Sequence, residues 1–175
     1  MKKIICLFSA ALILASVSSC GDKKKEEPIV APQGMIVLDL SKYGKPFVIF
    51  VPDTTSAKLV VNEQQSGALD ISVGKSFALS INETAADLEL KKKDIKEDEV
   101  NRFKSFVVEE PNGILWESEI TAPEYHFLIN MKIGTADYSF EEIKSTESEP
   151  FGKEAVQKMY DSAKNIKEVK KEEKA

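Results

Sequence analysis

Apolar and polar residues alternate along much of the chain between residues 59 and 140, in short runs separated by turn-forming residues. Successive side chains of a strand face opposite sides, so this alternation is typical of half-buried antiparallel strands. The longest alternating run predicts a strand whose core-facing residues are Tyr125, Phe127, Ile129, Met131 and Ile133. His126 lies between two of these residues, so we expect it on the opposite face of the sheet.

Shorter runs predict the remaining strands of the same domain. They cover residues 35–40, 47–51, 59–61, 69–73, 77–81, 106–110, 114–120 and 138–140. Residues 47–51 are continuously apolar, which predicts a strand buried on both faces. Gly74-Lys75 predicts a two-residue hairpin loop, and residues 111–113 and 134–136 predict two further turns.

Two segments depart from this pattern. In residues 84–104, Leu88 and Leu90 alternate as in a strand, and the charged run that follows predicts a polar loop or a short helix. Residues 153–169 predict an amphipathic helix. Its apolar face would carry Val156, Met159, Tyr160, Ala163 and Ile166. We expect this face to pack on the sheet, with docking of a partner as the alternative.

The pattern as a whole predicts a mainly β fold. We expect one domain over residues 35–170, built as an antiparallel β-sandwich or barrel of about 8–10 short strands with one C-terminal helix. Residues 171–175 should form a frayed tail. The domain is long enough to bury a core without disulfides.

The first twenty residues have a different composition. Lys2 and Lys3 precede residues 4–17, which carry no charge, and small residues lead to Cys20. This is the layout of a secretory leader. A run of 14 residues is shorter than the ~20 that a spanning helix needs. Residues 1–19 are therefore interpreted as an export leader.

The end of this leader, Val17-Ser18-Ser19-Cys20, resembles the lipobox of bacterial lipoproteins. The resemblance implies cleavage between Ser19 and Cys20, a diacylglycerol on the Cys20 sulfur and acylation of its amino group. An ordinary cleaved leader with a chance cysteine is the alternative. Gly21, in place of an aspartate directly after the cysteine, favours the outer membrane, on its periplasmic side or at the cell surface.

Residues 20–34 would then form a lipidated and flexible charged tether, because they contain a run of charges with prolines and a glycine but no periodicity. Loss of Lys2 and Lys3 with the leader reduces the basic residues from 24 to 22 against 29 acidic residues, a net charge of −7. An acidic chain gains nothing from a phosphate backbone, so nucleic-acid binding is disfavoured.

Few residues in the domain can carry covalent chemistry. With Cys6 in the leader and Cys20 acylated, no thiol remains, and His126 is the one imidazole. A nucleophile triad would need Ser118 or Ser139 to fold against His126. The sequence therefore predicts no catalytic, metal or cofactor site, and a structural or surface role for His126.

Other motifs favour structural roles. Gly74-Lys75-Ser76 lacks the earlier glycine of a phosphate loop, since Leu69 stands there. Glu117 and Glu119 share a strand face and could pair as in a glycosidase, but solvated edge charge is preferred. Trp116 is expected in the core rather than on a sugar-binding surface.

These observations predict a membrane-anchored envelope lipoprotein whose β-rich domain is a non-catalytic binding or assembly-accessory module. Its partners would be the membrane, through the acyl chains on Cys20, and an envelope protein or glycan. A carboxylate-dependent hydrolase acting on envelope or extracellular glycans is one alternative. A purely structural spacer is the other.

Overall fold

The structure is a computed structural model that describes residues 28–143 and 149–169. The predicted leader, Cys20, residues 20–27 of the tether and the tail at 171–175 lie outside the described residues. These residues form two α-helices, α1 (Leu88–Glu97) and α2 (Lys153–Lys164). The strands, in chain order, are β1 (Met35–Asp39), β2 (Phe47–Pro52), β3 (Leu59–Glu63), β4 (Leu69–Val73), β5 (Phe77–Asn82), β6 (Arg102–Glu110), β7 (Gly113–Glu119), β8 (Pro123–Ile133), β9 (Ala136–Glu142) and β10 (Lys167–Glu168).

The strands form two antiparallel sheets. The smaller sheet has the order β1-β2-β10, and the larger has the order β3-β4-β5-β9-β8-β7-β6. This arrangement confirms the predicted mainly β class and is sandwich-like. Within the described part of the chain, the helices are α1 and α2 together with a 3₁₀ turn at Ser41–Tyr43. Helix α1 confirms the short-helix alternative for the charged run after Leu90.

The main core lies between the two sheets and α2. It contains Phe47, Ile49 and Val51 of β2, Phe127 and Ile129 of β8, and the apolar face of α2. Residues 47–51 are all buried, which confirms the prediction for this strand. The predicted face of α2 packs on the sheet, with Val156, Met159, Tyr160 and Ala163 each at most 1% exposed.

The larger sheet is covered on its second face as well. Ile114, Trp116 and Leu128 form a smaller buried cluster there, and Leu88 and Ile95 of α1 pack against it. The core position predicted for Trp116 is confirmed. Strands β7 and β8 therefore have a buried face on each side, and His126 belongs to the face that α1 covers.

Three predictions of local secondary structure are wrong. Leu88 and Leu90 lie in α1 and not in a strand, because Asp87 caps this helix by accepting a hydrogen bond from the Leu90 N–H. The β4–β5 hairpin pairs Val73 with Phe77, so its loop has three residues rather than two.

The third concerns the C-terminal helix, which ends at Lys164 instead of Val169. Residues 167–168 leave the helix and pair with β2 as β10. Tertiary pairing with β2 therefore overrides an apolar period that continues to Ile166.

Candidate functional site

His126 lies in the middle of the larger sheet, on β8 between β7 and β9. It pairs with Trp116 across the β7–β8 ladder, and the centres of their two rings are 5.1 Å apart. His126 is 4% exposed. Its predicted orientation away from Tyr125 and Phe127 agrees with this pairing, while a solvated surface position is excluded.

A chain of hydrogen bonds crosses three adjacent strands through this imidazole. Glu142 Oε1 of β9 lies 2.8 Å from His126 Nδ1, and Ser118 Oγ of β7 lies 2.9 Å from Nε2. A carboxylate can only accept, so Nδ1 carries a proton, and in the neutral ring Nε2 then accepts from the serine hydroxyl. The order of groups is that of a serine–histidine–carboxylate triad.

The second oxygen of Glu142 has a backbone partner, because Oε2 accepts the Phe127 N–H at 2.8 Å. Two further polar groups lie near the Nε2 nitrogen of the imidazole. Asn101 Nδ2 lies 3.4 Å and Glu124 Oε2 lies 3.8 Å from Nε2. The imidazole is thus flanked by two carboxylates. The other amide atom, Asn101 Oδ1, is buried without a hydrogen-bond partner.

A cavity reaches the histidine and the carboxylate of this triad but not its serine. A cavity of about 160 Å³ reaches His126 and is lined by Glu124, Tyr125, His126, Glu142, Glu149, Pro150 and Phe151. Ser118 does not line it and is 1% exposed. A molecule in the cavity would lie beside the imidazole, whose two nitrogens already have partners, and the serine oxygen is shielded from it. The three hydrogen-bonded residues link β7, β8 and β9, and their serine is not accessible as a nucleophile.

Of the two serines considered from the sequence, the structure brings Ser118 and not Ser139 to the imidazole. Glu117 and Glu119 were expected to protect a sheet edge. This prediction is wrong, because β6 lies outside β7 and forms the edge of the sheet. Glu119 pairs with Lys104 at 2.7 Å, and this hydrogen bond lowers the pKa of the carboxyl. Glu117 contributes to the raised pKa of Tyr125, whose main cause is burial.

A second feature is a groove of about 580 Å³ along one flank of α2. Its walls are formed by β1, β2, the segment before β1 and the helix. The lining residues are Pro32, Gln33, Met35, Phe50, Lys153, Glu154, Gln157, Lys158, Asp161, Ser162 and Asn165. Phe50 is 5% exposed and Ser162 is 2% exposed. The Ser162 hydroxyl has no hydrogen-bond partner.

The sequence analysis considered Ser118 as a partner of His126 but disfavoured it, and it identified neither Glu142 as the third residue nor the groove. The triad needs the registers of two hairpins, β7–β8 and β8–β9, which the turns at residues 120–122 and 134–135 define. The groove gives no sequence signal, since Ser162 lies on the flank of an amphipathic helix where a polar residue is expected. Its burial arises from the packing of α2 against strands that are distant in the chain.

Within residues 28–143 and 149–169, no group of three or more His, Cys, Asp or Glu side chains is placed to hold a metal ion. In the same residues, no helix has the length and apolar character that crossing a membrane requires.

Comparison of the chain with protein-family models, with curated proteins and with solved structures finds no match in any of the three.

Proposed function

We propose that this protein is exported, anchored to the outer membrane through acyl chains on Cys20, and acts in the envelope as a non-catalytic binding module. The observation that carries the proposal is the groove of about 580 Å³ beside α2, whose lining combines the apolar side chains of Met35 and Phe50 with polar side chains of the helix. A concave site of this size, with an apolar lining and a few polar groups, is typical of small-molecule binding.

Two residues that line the groove lie close in sequence to the proposed acylation site at Cys20. Pro32 and Gln33 line it, and they follow Cys20 by 12 and 13 residues. At ~3.3 Å per residue such a segment spans at most ~40 Å, so the groove would remain near the membrane surface. The net charge of −7 after leader removal would keep the domain from lying on anionic lipid.

The test is complementation of the deletion phenotype by single variants of the full chain. Cys20→Ser removes the acylation site, and Gln157→Trp fills the groove from the half-buried flank of α2. Both should fail to complement, while Lys93→Trp, which places the same side chain on the exposed face of α1, should complement. Mass spectrometry of the mature N-terminus and membrane fractionation report the anchor. If Gln157→Trp complements while Cys20→Ser does not, the binding function is wrong and a purely structural spacer takes its place.

A serine hydrolase is the second candidate function, because Ser118, His126 and Glu142 have the hydrogen-bond order of a triad. Burial of Ser118 is the observation against it. A fluorophosphonate probe decides between the two, since it forms a bond from the serine oxygen to phosphorus as fluoride leaves. The binding proposal predicts no labelling. Labelling of the parent chain that disappears in Ser118→Ala would establish the hydrolase in its place.

A further inference from the structure

Strand β3 forms one edge of the larger sheet and has β4 as its neighbour on the other side. The Gly74 N–H donates to the Lys58 carbonyl, so the backbone groups of Lys58 point towards β4. Since these directions alternate along a strand, Leu59, Val61 and Glu63 direct their N–H and C=O groups to the free edge. Within residues 28–143 and 149–169, no hydrogen bond reaches these outward groups. Each residue therefore offers a donor and an acceptor to an added strand.

The side chains along this edge are apolar. Val60 is 45% exposed on the outer side of the sheet, and Leu59 and Val61 are half-buried against the main core. The ladder between β3 and β4 runs through all five residues of β3 without a register shift. Regular apolar edges pair readily with other strands, and proteins usually protect them with charges, prolines or bulges. Residues 59–61 contain none of these protections.

The other sheet edges differ from β3. Strand β6, at the far end of the larger sheet, has register shifts at two places in its ladder with β7. Strand β10 has two residues. In β1 the Met35 N–H already donates to the Pro32 carbonyl, and the strand carries a single charge, on Asp39. Among the edges of the described sheets, β3 alone combines a regular ladder, free backbone groups, apolar side chains and a charge of opposite sign at each end.

These two charges are the feature that selects a partner. Lys58 precedes the apolar residues and Glu63 follows them, and both side chains are exposed. Neither belongs to an ion pair in the part of the chain that the structure describes. An antiparallel copy of β3 would bring Lys58 of each copy near Glu63 of the other. Opposite charges across a ladder stabilise it and like charges destabilise it, so the edge is complementary to itself.

We propose that two copies of this protein associate through β3, paired antiparallel about a two-fold axis at Val61. In this register Val61 lies opposite Val61 of the second copy, and Leu59 lies opposite Glu63. All the outward backbone groups of these three residues then have partners. The two larger sheets become one continuous sheet, and the contact closes at two copies because the same surface is used on both.

The test is the mass of the full chain purified in detergent, measured by sedimentation equilibrium with the detergent density-matched. We expect a reversible dimer. Val60→Lys places a charge at the interface on both copies and should raise the dissociation constant about tenfold. Val37→Lys is the matched control, because Val37 is 38% exposed on the edge strand of the smaller sheet. It should leave the dissociation constant unchanged.

Charge reversal tests the antiparallel orientation. Lys58→Glu and Glu63→Lys should each weaken the dimer, because each brings like charges together at both ends of the ladder. The double variant Lys58→Glu/Glu63→Lys should recover the affinity of the parent, and circular dichroism reports that each variant is folded.

Hydrogen exchange provides a second measurement that needs no substitution. The amides of Leu59, Val61 and Glu63 should exchange more slowly as the protein concentration rises through the dissociation constant. The proposal is overturned by a monomer at every concentration reached, by equal effects of Val60→Lys and Val37→Lys, or by exchange in β3 that is independent of concentration. Failure of the double variant to recover affinity would overturn the antiparallel pairing.

Discussion

His126 Nδ1 lies 2.8 Å from Glu142 Oε1, and both residues are buried, at 4% and 9% exposure. Ser118 extends this contact to a third strand, so one imidazole connects β7, β8 and β9 at the centre of the larger sheet. A buried carboxylate is stable only while its hydrogen-bond partners remain. Loss of the imidazole would leave Glu142 with the Phe127 N–H as its remaining recorded partner.

The first prediction follows from that dependence. Replacement His126→Gln should lower the free energy of unfolding by about 2–4 kcal/mol, because removing one member of a buried pair exposes the desolvation penalty of the other. Urea denaturation at neutral pH measures the loss. Lys132→Gln is the control on the same strand, with a side chain 68% exposed, and should change stability by less than about 0.5 kcal/mol. Equal losses in the two variants would show that the His126 contacts contribute nothing to stability.

Two buried serines give the second prediction, because their substitution should have opposite effects. Ser118→Ala removes a hydrogen bond to His126 and should destabilise the protein by about 1 kcal/mol. Ser162→Ala removes a hydroxyl that has no partner and should stabilise it by about 1 kcal/mol, aided by the higher helix propensity of alanine. Chemical denaturation of both variants under one condition tests this. A loss of stability in ligand-free Ser162→Ala would indicate a hydrogen bond that the structure lacks.

Local sequence patterns were sufficient to locate strands β1 to β9, though not β10. The alternation of residues 125–133 correctly placed Phe127 and Ile129 in the main core and His126 on the other side. The prediction succeeds because the alternation of side chains between the two faces of a strand depends only on neighbouring residues. The same reasoning failed at Leu88 and Leu90, where two apolar residues cannot distinguish a strand from the first turn of a helix capped by Asp87.

The candidate sites were harder to predict because they combine distant segments. The pairing of Glu119 with Pro123 brings Ser118 near His126, and the pairing of Ile133 with Ala136 brings Glu142 opposite Phe127. The order β7-β8-β9 could therefore be inferred from the two hairpins. The direction of the Glu142 side chain could not be inferred in this way, and neither could the burial of Ser162, which arises from the packing of α2 against distant strands.

The third prediction concerns alkaline pH. Burial, reinforced by the nearby Glu110 carboxylate, raises the pKa of Tyr160 well above its ordinary value of 10.0. The folded state thus holds this proton more tightly than the unfolded state, so the contribution to stability is complete below about pH 10 and declines as the pH rises further. Tyr160→Phe should reduce the loss of stability between pH 9 and 11, as measured by denaturant midpoints. Parallel pH curves for parent and variant would contradict the assignment.

The fourth prediction tests the packing of α2 on β7 and β8 at Gly113. A Cβ added there would lie 2.9 Å from both Ile129 Cγ1 and the Tyr160 hydroxyl oxygen, closer than real side chains approach. Gly113→Ala should therefore destabilise the protein by about 1–3 kcal/mol through overpacking. Because Tyr160→Phe removes one of the two obstructing atoms, Gly113→Ala should be less destabilising in that background than in the parent. A double-mutant cycle measures this coupling. Strict additivity would mean that the clash with Ile129 alone determines the effect, and that Tyr160 moves freely away from the new methyl group.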